Sequence, residues 1–329
     1  MGNITLIFRK RLPQFNSIEG VFASIYNHLE KSLSIKKLEV PFDGAHPKSI
    51  LSNLKYVKKS KGDINHITGH INYVALVLAK KSILTIHDLE SAFYGSFSHR
   101  LFIKIFWFWL PALMVSKITV ISNFSKGQVI GLIPFAKKKI KVIYNPVNSL
   151  LEYSPKSFNQ KNPLILHLGT KTNKNLERTI KALNGLKCTL LIIGELTELH
   201  VQLLKQNKIN FRNKQFLPFS EIKAAYEECD VLSFVSLYEG FGMPVIEAQA
   251  VGRPVLSSNV TAIPEVAGNG ALLVDPTDVT AIRAGIMKII EDDQFRTKLI
   301  NRGRENVKRF HIENIAAQYK ELYKEVANA

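Results

Sequence analysis

Cysteine is scarce in this sequence, which has only Cys188 and Cys229 among its 329 residues. Both lie within or beside apolar patterns, and neither belongs to a Cys-X-X-Cys pair or has a cysteine or histidine at metal-ligand spacing. We therefore predict buried structural thiols and neither a disulfide framework nor a metal site. A Gly-X-Gly-X-X-Gly turn is also missing after the first predicted strand, where Arg9 to Arg11 stand instead, which argues against a nicotinamide oxidoreductase.

Acidic residues are few in the first half of the chain. Residues 1–150 contain 21 lysines and arginines against 7 acidic residues, a net charge of +14, whereas residues 151–329 contain 23 against 20, a net charge of +3. Such a basic surface favours anionic lipid head groups, to which each lysine or arginine contributes about 1 kcal/mol near the membrane. Because no helix-turn-helix, zinc-finger or RNP-like pattern accompanies the charge, we expect no nucleic acid partner.

A long apolar run is limited to Leu101 to Ser116, which Lys104 and Pro111 interrupt. The run is shorter than the roughly 20 apolar residues that cross a bilayer. Two interpretations remain open: an interfacial patch in which tryptophan and lysine contact lipid head groups, or a buried helix of the first half. Trp107 and Trp109 cannot both face the same side of a helix, so part of this aromatic surface is expected to be exposed.

Short apolar runs rich in β-branched residues alternate with segments of helical periodicity. This alternation, in a chain longer than the roughly 100 to 200 residues of one domain, predicts an α/β fold with two Rossmann-like, doubly wound parallel sheets. A polar stretch at 148–162 predicts the seam between a first domain at 1–150 and a second at 151–311. The predicted strands are Ile4 to Phe8, Ile83 to Ile86, Ile118 to Ile121, Val142 to Tyr144, Leu164 to Leu168, Leu190 to Ile193, Val231 to Val235 and Ala271 to Val274.

The segment Tyr238-Glu239-Gly240-Phe241-Gly242-Met243-Pro244-Val245-Ile246-Glu247 places two carboxylates eight residues apart around a glycine-rich turn. It follows a predicted buried strand, and Pro244 begins a predicted helix. The two glycines let the backbone approach a ligand, and the first helical amides, at Met243 to Val245, are expected to donate to hydroxyl or phosphate oxygens. Each carboxylate can accept hydrogen bonds from vicinal sugar hydroxyls. The pattern therefore points to a phosphorylated sugar as the ligand.

Two other predicted strands end in candidate site residues. One leads into Gly169, and Lys174 follows at the start of the next predicted helix, beside amides that can face a diphosphate. The other leads into His87 and Asp88, at the carboxyl edge where open α/β sheets bind ligands. Asp88 has two open interpretations, a catalytic base or nucleophile and a residue that caps a helix or orders the loop.

The 238–247 segment resembles the signature of two glutamates, with seven residues between them, of the retaining, nucleotide-sugar-dependent glycosyltransferases of family 4, which have the GT-B fold. Ala250 to Val255, Ile263 to Gly268 and Leu273 to Pro276 resemble that family's next blocks in the expected order. The resemblance implies two Rossmann-like domains that face across a cleft, with the acceptor side at 1–150 and the nucleotide-sugar donor side at 151–311. It also implies that a last helix at 312–329 packs back onto the first domain.

The resemblance further implies roles for individual residues. Glu239 and His87 are the expected catalytic residues, which contact the transferred sugar, and Glu247 is expected to hold the ribose hydroxyls. Lys174 would stabilise the diphosphate without a metal ion or another cofactor. The other expected donor-binding residues are Gly169, Phe241, Gly242 and Met243.

Two positions depart from the family pattern. Thr170 stands where the family often has an arginine after the glycine. The first loop, Arg9 to Gly20, has one glycine in place of a glycine pair, with Ser17 as a predicted helix N-cap. Because this loop commonly frames the acceptor, the sequence leaves the acceptor undefined.

The resemblance implies transfer of a glycosyl group from a nucleoside diphosphate sugar to an acceptor hydroxyl, with retention at the anomeric carbon, in the synthesis of bacterial surface polysaccharide or glycolipid. The expected partners are the donor and a saccharide or lipid-linked acceptor. A hydrolase or epimerase of the same fold and a noncatalytic sugar-nucleotide-binding protein are the alternatives. Met1 to Ile4 run directly into a predicted strand without a basic-then-apolar leader, so we expect a cytoplasmic protein, peripheral on the inner face of the membrane where its basic half binds lipid.

Overall fold

The computed structural model describes residues 2–11, 17–44, 46–78, 81–89 and 96–328, without the side chains of residues 17 and 18. The chain divides into two compact units. Unit 1 contains Met1–Pro146 and Ile312–Ala329, and unit 2 contains Val147–His311. The division falls four residues before the end of the first domain expected at 150. The predicted cap at the Ser17 side chain, and residues 12–16 of the first loop, lie outside the described residues.

Unit 1 is built on a six-stranded parallel sheet. Its strands are β1 (Ile4–Phe8), β2 (Ile35–Glu39), β3 (Ile64–Ile67), β4 (Ser82–Ile86), β5 (Lys117–Val120) and β6 (Ile140–Val142). They lie in the order β2-β1-β3-β4-β5-β6. Its helices up to the end of the sheet are α1 (Ser17–Leu29), α2 (Pro47–Ser60), α3 (Phe97–Ile103), α4 (Leu110–Met114) and α5 (Asn123–Leu132).

Unit 2 repeats this architecture. Its strands are β7 (Leu164–Leu168), β8 (Thr189–Ile193), β9 (Asn210–Lys214), β10 (Val231–Phe234), β11 (Val255–Ser258) and β12 (Leu272–Val274). They lie in the order β12-β11-β10-β7-β8-β9, with all neighbours parallel. Its helices are α6 (Leu176–Leu183), α7 (Glu198–Gln206), α8 (Phe219–Glu228), α9 (Met243–Val251), α10 (Ile263–Ala267), α11 (Val279–Glu291) and α12 (Asp293–Val307). Because β7 and β10 are neighbours, the loops that follow them leave the same edge of the sheet side by side.

The apolar runs of the sequence become the central strands. Every residue of β1, β4 and β10 is buried, as expected for parallel strands that helices cover on both faces. The predicted α/β fold with two doubly wound parallel sheets is confirmed. Cys188 and Cys229 are buried and do not pair with each other, as predicted.

The last helix, α13 (Ile312–Asn328), shares an apolar core with the sheet of unit 1. Its buried residues Tyr319, Leu322 and Tyr323 belong to the same cluster as Leu6 of β1 and Phe22 of α1. The Tyr323 hydroxyl also lies 2.8 Å from Nδ1 of the buried His66. These contacts attach the end of the chain to the sheet formed by its beginning.

A continuous helical segment at 97–114 contains the aromatic run of the sequence. Between α3 and α4, residues Lys104–Trp109 form a π-helix. Phe108 is buried in the core of unit 1, whereas Phe106 and Trp109 are exposed. One face of this segment is therefore buried, as in the buried interpretation, and the other face is exposed. Contact of the exposed face with lipid head groups stays a prediction. Among the described helices, none is both long enough and apolar enough to cross a membrane.

Candidate functional site

The glycine-rich turn between β10 and α9 has the backbone that its sequence predicts. Gly242 caps α9 with φ +100° and ψ 52°, in the left-handed region. A Cβ at this position would lie 2.5 Å from Cδ1 of Ile263. Pro244 has no N–H, and the Val245 amide donates to the Gly242 carbonyl oxygen at 3.0 Å. The amide that this turn can offer to a ligand is therefore that of Met243, rather than three consecutive amides.

Lys174 and Glu239 meet at the edge of the sheet where β7 and β10 end. Lys174 Nζ donates to Glu239 Oε1 at 2.5 Å, and both side chains are largely buried. Gly169, at φ +86°, permits this approach, because a Cβ there would lie 2.9 Å from Cγ of Lys174. Residues predicted from two separate parts of the sequence thus form one cluster, with a cation and a carboxylate side by side.

Two asparagines that the sequence analysis did not single out hold the Lys174 loop in place. The Asn173 carbonyl oxygen accepts from the Leu237 amide at 2.8 Å, and its Nδ2 donates to the Tyr238 carbonyl oxygen at 3.1 Å. Asn175 is left-handed at φ +64° and fully buried, and its Nδ2 donates to the carbonyl oxygens of Val235 and Pro276 at 2.9 and 2.7 Å. Asparagine tolerates this conformation better than most residues. The asparagine itself was therefore the sequence signal for a left-handed residue at this position.

Thr261 orders the backbone on the other side of Glu239. The Glu239 amide donates to Thr261 Oγ1 at 3.2 Å, and the Ala262 amide donates to the Glu239 carbonyl oxygen at 3.4 Å. Thr261 has φ +59°, which is unfavourable for a β-branched residue and concentrates at functional sites. The position of Glu239 is therefore fixed by a strained residue 22 positions further along the chain.

Glu247 lies one turn into α9, on the same face as Met243. Its Oε2 accepts a hydrogen bond from the buried Tyr226 hydroxyl at 2.6 Å. Burial raises the pKa of the Glu247 carboxyl, and the Tyr226 hydrogen bond lowers it in part. Burial and the neighbouring Glu247 raise the pKa of Tyr226 well above its usual range, so this tyrosine is a hydrogen-bond donor. The bond leaves acceptor capacity on the carboxylate for ligand hydroxyls.

The remaining donor-side candidates differ in how much they can contact a ligand. The Phe241 side chain is 3% exposed and packs edge-on against Phe310 at 5.7 Å, so its ring belongs to the core. Met243 is partly buried. Arg253 is buried and donates to the carbonyl oxygens of Tyr226, Ser154 and Glu227 at 2.8 to 3.0 Å. Arg253 therefore has a structural role, with backbone carbonyl oxygens as its partners.

His87 lies in unit 1, directly after β4. Its Nε2 is 2.8 Å from the Thr68 carbonyl oxygen, so Nε2 must carry the proton and Nδ1 is an acceptor. Burial lowers the pKa of His87 to about 4, although the Thr68 hydrogen bond opposes this shift. The ring is therefore neutral at neutral pH and can accept a hydrogen bond from a hydroxyl.

A second histidine lies against His87. The His70 ring is nearly parallel to that of His87, with centroids 6.4 Å apart and planes 13° apart. His70 has φ +56°, and its Nε2 lies 3.7 Å from Asp88 Oδ2. Both interpretations of Asp88, as a catalytic residue and as a residue that orders the loop, therefore stay predictions. No pattern in the sequence around His70 predicted that its ring would lie against that of His87.

These side chains line a pocket in unit 1. Trp107 Nε1 donates to the His70 carbonyl oxygen at 3.2 Å, and Asn72 Nδ2 donates to the Trp107 carbonyl oxygen at 2.8 Å. The π-helix thus fixes one wall of the pocket. The lining residues are His70, Asn72, Thr85, Ile86, His87, Asp88, Trp107 and Phe108. Within the described ranges, no three histidine, cysteine or acidic side chains come together as metal ligands.

Models of glycosyltransferase families match parts of both units. Residues 152–306 match the family model "Glycosyl transferases group 1", and residues 34–149 match "Glycosyltransferase Family 4". Among curated proteins, the chain is 39% identical to O-antigen chain mannosyltransferase B of Escherichia coli over 109 residues, which are 33% of this chain and 29% of that protein. It is 27% identical to O-antigen chain mannosyltransferase RfbU of Salmonella typhimurium over 223 residues, 64% of this chain and 62% of that protein. The chain thus matches less than two thirds of the length of either relative.

Solved structures show the same fold across the whole chain. A glycosyltransferase from Rickettsia africae superposes with a TM-score of 0.75 at 20% identity, covering 98% of both chains. Anabaena HepE, solved in complex with UDP and glucose, superposes with a TM-score of 0.75 at 16% identity, covering 99% of this chain and all of HepE. The predicted family is therefore confirmed, and the chain belongs to the family 4 glycosyltransferases, with the GT-B fold.

Proposed function

We propose that this protein transfers a hexosyl group from a nucleoside diphosphate sugar to an acceptor hydroxyl, with retention of the anomeric configuration. The observation that carries the proposal is the contact of Lys174 with Glu239 at the carboxyl edge of the unit 2 sheet. A cation there suits a diphosphate, and a carboxylate beside it suits the hydroxyls of the attached sugar. The relatives named as O-antigen mannosyltransferases favour mannose as the transferred sugar and bacterial surface polysaccharide as the product.

Each donor group has a proposed partner in unit 2. The diphosphate would bind Lys174 and the Met243 amide, next to Gly169 and Gly242, which have no side chains of their own. Glu247 would accept from the ribose hydroxyls, since it is held by Tyr226 and is not paired with a cation in the described structure. Glu239 would accept from hydroxyls of the sugar. In unit 1, His87 Nδ1 would accept from a hydroxyl of the transferred sugar.

The chemical step requires a stabilised leaving group more than it requires a nucleophile. The bond from the anomeric carbon to the diphosphate oxygen breaks, and a bond to the acceptor oxygen forms on the same face of the sugar. The acceptor proton passes to the departing phosphate oxygen. Lys174 and the Met243 amide would stabilise the charge that develops on the diphosphate through preorganised electrostatics, without a metal ion.

The first test is a thermal-shift comparison of UDP-, GDP-, ADP- and dTDP-sugars with wild-type protein and the Glu247→Ala variant. A ligand at 100 times its Kd stabilises the folded state by about 2.7 kcal/mol. We expect one nucleotide family to raise the Tm of the wild type and to lose this effect in the variant. A shift that survives in Glu247→Ala would refute the assignment of the ribose site.

A second measurement separates transfer from hydrolysis and epimerisation, which would use the same donor site. The wild type is incubated with the stabilising donor, with and without a saccharide or lipid-linked acceptor, and the sugar products are identified. We expect turnover to depend on the acceptor and the product to keep the anomeric configuration of the donor. Release of free sugar or of an epimerised donor in the absence of acceptor would refute transferase activity while leaving the donor site in place.

We also propose that the protein works at the cytoplasmic face of the membrane, through its basic first half. This part of the chain has a net charge of +14 over residues 1–150. A lipid-linked acceptor would be presented at that surface.

A further inference from the structure

The helical segment 97–114 exposes large apolar side chains along one face. The exposed fractions of six of them range from 40 to 74%. They are Phe97, Leu101, Phe102, Phe106, Trp109 and Leu113. Phe135 of the short helix Pro134–Lys139 is 50% exposed and packs edge-on against Trp109 with centroids 6.2 Å apart. We call these seven residues the aromatic patch.

The patch is a fixed part of the fold and not a loosely packed core helix. The opposite face of the segment is already buried, with Ile103 and Phe108 in the core of unit 1. The π-helix sends the two tryptophans in different directions. Trp107 packs on Tyr73 at 5.1 Å and donates to His70, whereas Trp109 donates to the Leu132 carbonyl oxygen at 3.0 Å and remains 45% exposed.

The chain segment that carries the aromatic patch has charge of one sign, although two of its lysines, Lys117 and Lys141, pair with Glu325 of α13. Residues 91–151 contain eight lysines and arginines and no aspartate or glutamate. Arg100 lies within the segment, and the exposed Lys137 and Lys138 follow Phe135. Soluble monomers seldom expose contiguous apolar patches of this kind without a partner. A partner that accepts aromatic side chains and cations together is a bilayer surface with anionic head groups.

We propose that the aromatic patch is the surface by which the protein docks on an anionic lipid bilayer. Trp109 and the phenylalanines would insert at the level of the head groups, and Arg100, Lys137 and Lys138 would bind lipid phosphates. A second copy of the chain is a poorer occupant, since its patch carries the same positive charge. Docking would rest on insertion by the patch as well as on attraction to the basic half of the chain as a whole.

The patch and the His87 pocket belong to one rigid arrangement in unit 1. Trp107 stands between them, with its indole N–H on the His70 carbonyl oxygen and its own carbonyl oxygen on Asn72. Docking would therefore hold this pocket close to the membrane surface. This part of the inference rests on the proposed function and indicates that the acceptor is a lipid-linked saccharide.

The test is co-sedimentation of the full chain with vesicles of phosphatidylglycerol and phosphatidylcholine, beside vesicles of phosphatidylcholine alone. We expect the double variant Phe106→Ser/Leu113→Ser to lower the partition coefficient about tenfold on anionic vesicles, as loss of inserted apolar area requires. The matched control is Leu199→Ser in unit 2, where the leucine is 55% exposed against 59% for Leu113. Partition of the double variant that equals the wild type, or a loss as large in Leu199→Ser, would overturn the proposal and leave a protein partner as the occupant.

The contribution of charge is tested separately. Lys137→Gln/Lys138→Gln should weaken binding to the anionic vesicles more than Lys58→Gln/Lys59→Gln, a pair of exposed lysines on α2. Equal effects of the two pairs would mean that general attraction, not this patch, locates the protein on the lipid. Brominated lipids should quench the tryptophan fluorescence of the wild type but not that of Trp109→Phe, and equal quenching in the two would also contradict the proposal.

Donor binding distinguishes this inference from the proposed function. The patch variants should keep the thermal shift with the nucleotide sugar, which also shows that they are folded. If no donor shifts the wild type although the patch variants lose vesicle binding, the proposed function fails and the docking surface stands. If donors shift the Tm but the wild type does not bind vesicles, the docking surface fails and the proposed function stands.

Discussion

Lys174 Nζ donates to Glu239 Oε1 at 2.5 Å, across two loops that are 65 residues apart in the chain. A diphosphate bound at Lys174 would compete with this carboxylate for the ammonium group. The two partners therefore have opposite expected effects on the affinity for a nucleoside diphosphate, although both belong to the same proposed donor site.

Substitution of each partner separates their roles. Lys174→Met should weaken nucleoside diphosphate binding by about 10- to 100-fold, since a charge-assisted hydrogen bond contributes about 1.5 to 3 kcal/mol. Glu239→Gln should leave that affinity unchanged or higher, because it removes the competing carboxylate, and should lower kcat with the complete donor. Isothermal titration calorimetry and initial rates measure the two effects. The matched control is the nucleoside without phosphates, whose binding Lys174→Met should not change; a loss of nucleoside diphosphate affinity in Glu239→Gln would contradict the competition.

The bond between Tyr226 and Glu247 predicts how nucleotide affinity depends on pH. Burial raises the pKa of Glu247, so the carboxylate that would hold ribose is lost on acidification at a higher pH than for an ordinary glutamate. Affinity should therefore fall as the pH drops through this raised pKa. Tyr226→Phe should move the midpoint to higher pH, because the tyrosine hydrogen bond lowers the pKa of Glu247.

Two variants check this assignment by titration of nucleotide affinity between acidic and neutral pH. Glu247→Gln cannot ionise, so its affinity should be low and free of this inflection. A midpoint that is the same in Tyr226→Phe and in the wild type would show that the inflection belongs to another group.

Most of the buried strands could be predicted because runs of apolar residues mark them in the sequence. β1, β7 and β10 are apolar except for one residue each, as expected of strands covered on both faces. β3 and β11, which lie inside the sheets, are absent from the predicted strands. The edge strands β2 and β9 were also missed. Their sequences, Ile35-Lys36-Lys37-Leu38-Glu39 and Asn210-Phe211-Arg212-Asn213-Lys214, are largely polar and half exposed, so they carry no apolar run.

The candidate site was predictable only where neighbouring residues define it. The segment from Glu239 to Glu247 could be recognised because its glycines and carboxylates lie within ten residues of one another. The support from Asn173 and Thr261, and the stacking of His70 on His87, arise where distant loops meet, and no local pattern records such contacts. Trp107 of the π-helix likewise packs on Tyr73, a residue distant in the sequence.

From the lowered pKa of His87 we expect the folded protein to lose stability in acid. Its pKa is lowered from the ordinary 6.5 to about 4 in the folded state, so the unfolded chain binds the proton more readily. The contribution of the neutral ring is fully present above the unfolded pKa and is lost as the pH falls from about 6.5 toward 4, by an amount on the order of 3 kcal/mol. Urea unfolding of the wild type should show this decline between neutral and acidic pH.

The variant His87→Gln keeps a donor for the Thr68 carbonyl oxygen but cannot titrate. Its unfolding free energy should therefore decline less with acidification than that of the wild type, while glycosyl transfer falls because the acceptor nitrogen is lost. His99→Gln, which removes an exposed histidine of the same unit, is the control and should keep the wild-type slope. If His87→Gln also keeps the wild-type slope, His87 does not contribute the titrating group.

From the geometry of Gly242 we expect that a methyl group added at this residue disrupts the start of α9. A Cβ there would lie 2.5 Å from Cδ1 of Ile263, and φ of +100° is unfavourable for any residue with a side chain. Gly242→Ala should lower the unfolding free energy by about 2 to 4 kcal/mol and weaken donor binding, because the clash and the backbone strain add. Adding Ile263→Val should recover the part due to the clash and leave the part due to φ. The control is Gly127→Ala inside α5, where a Cβ meets nothing within 4 Å, so the substitution should stabilise the helix by about 0.5 to 1 kcal/mol; an equal loss in both alanine variants would refute the special geometry at Gly242.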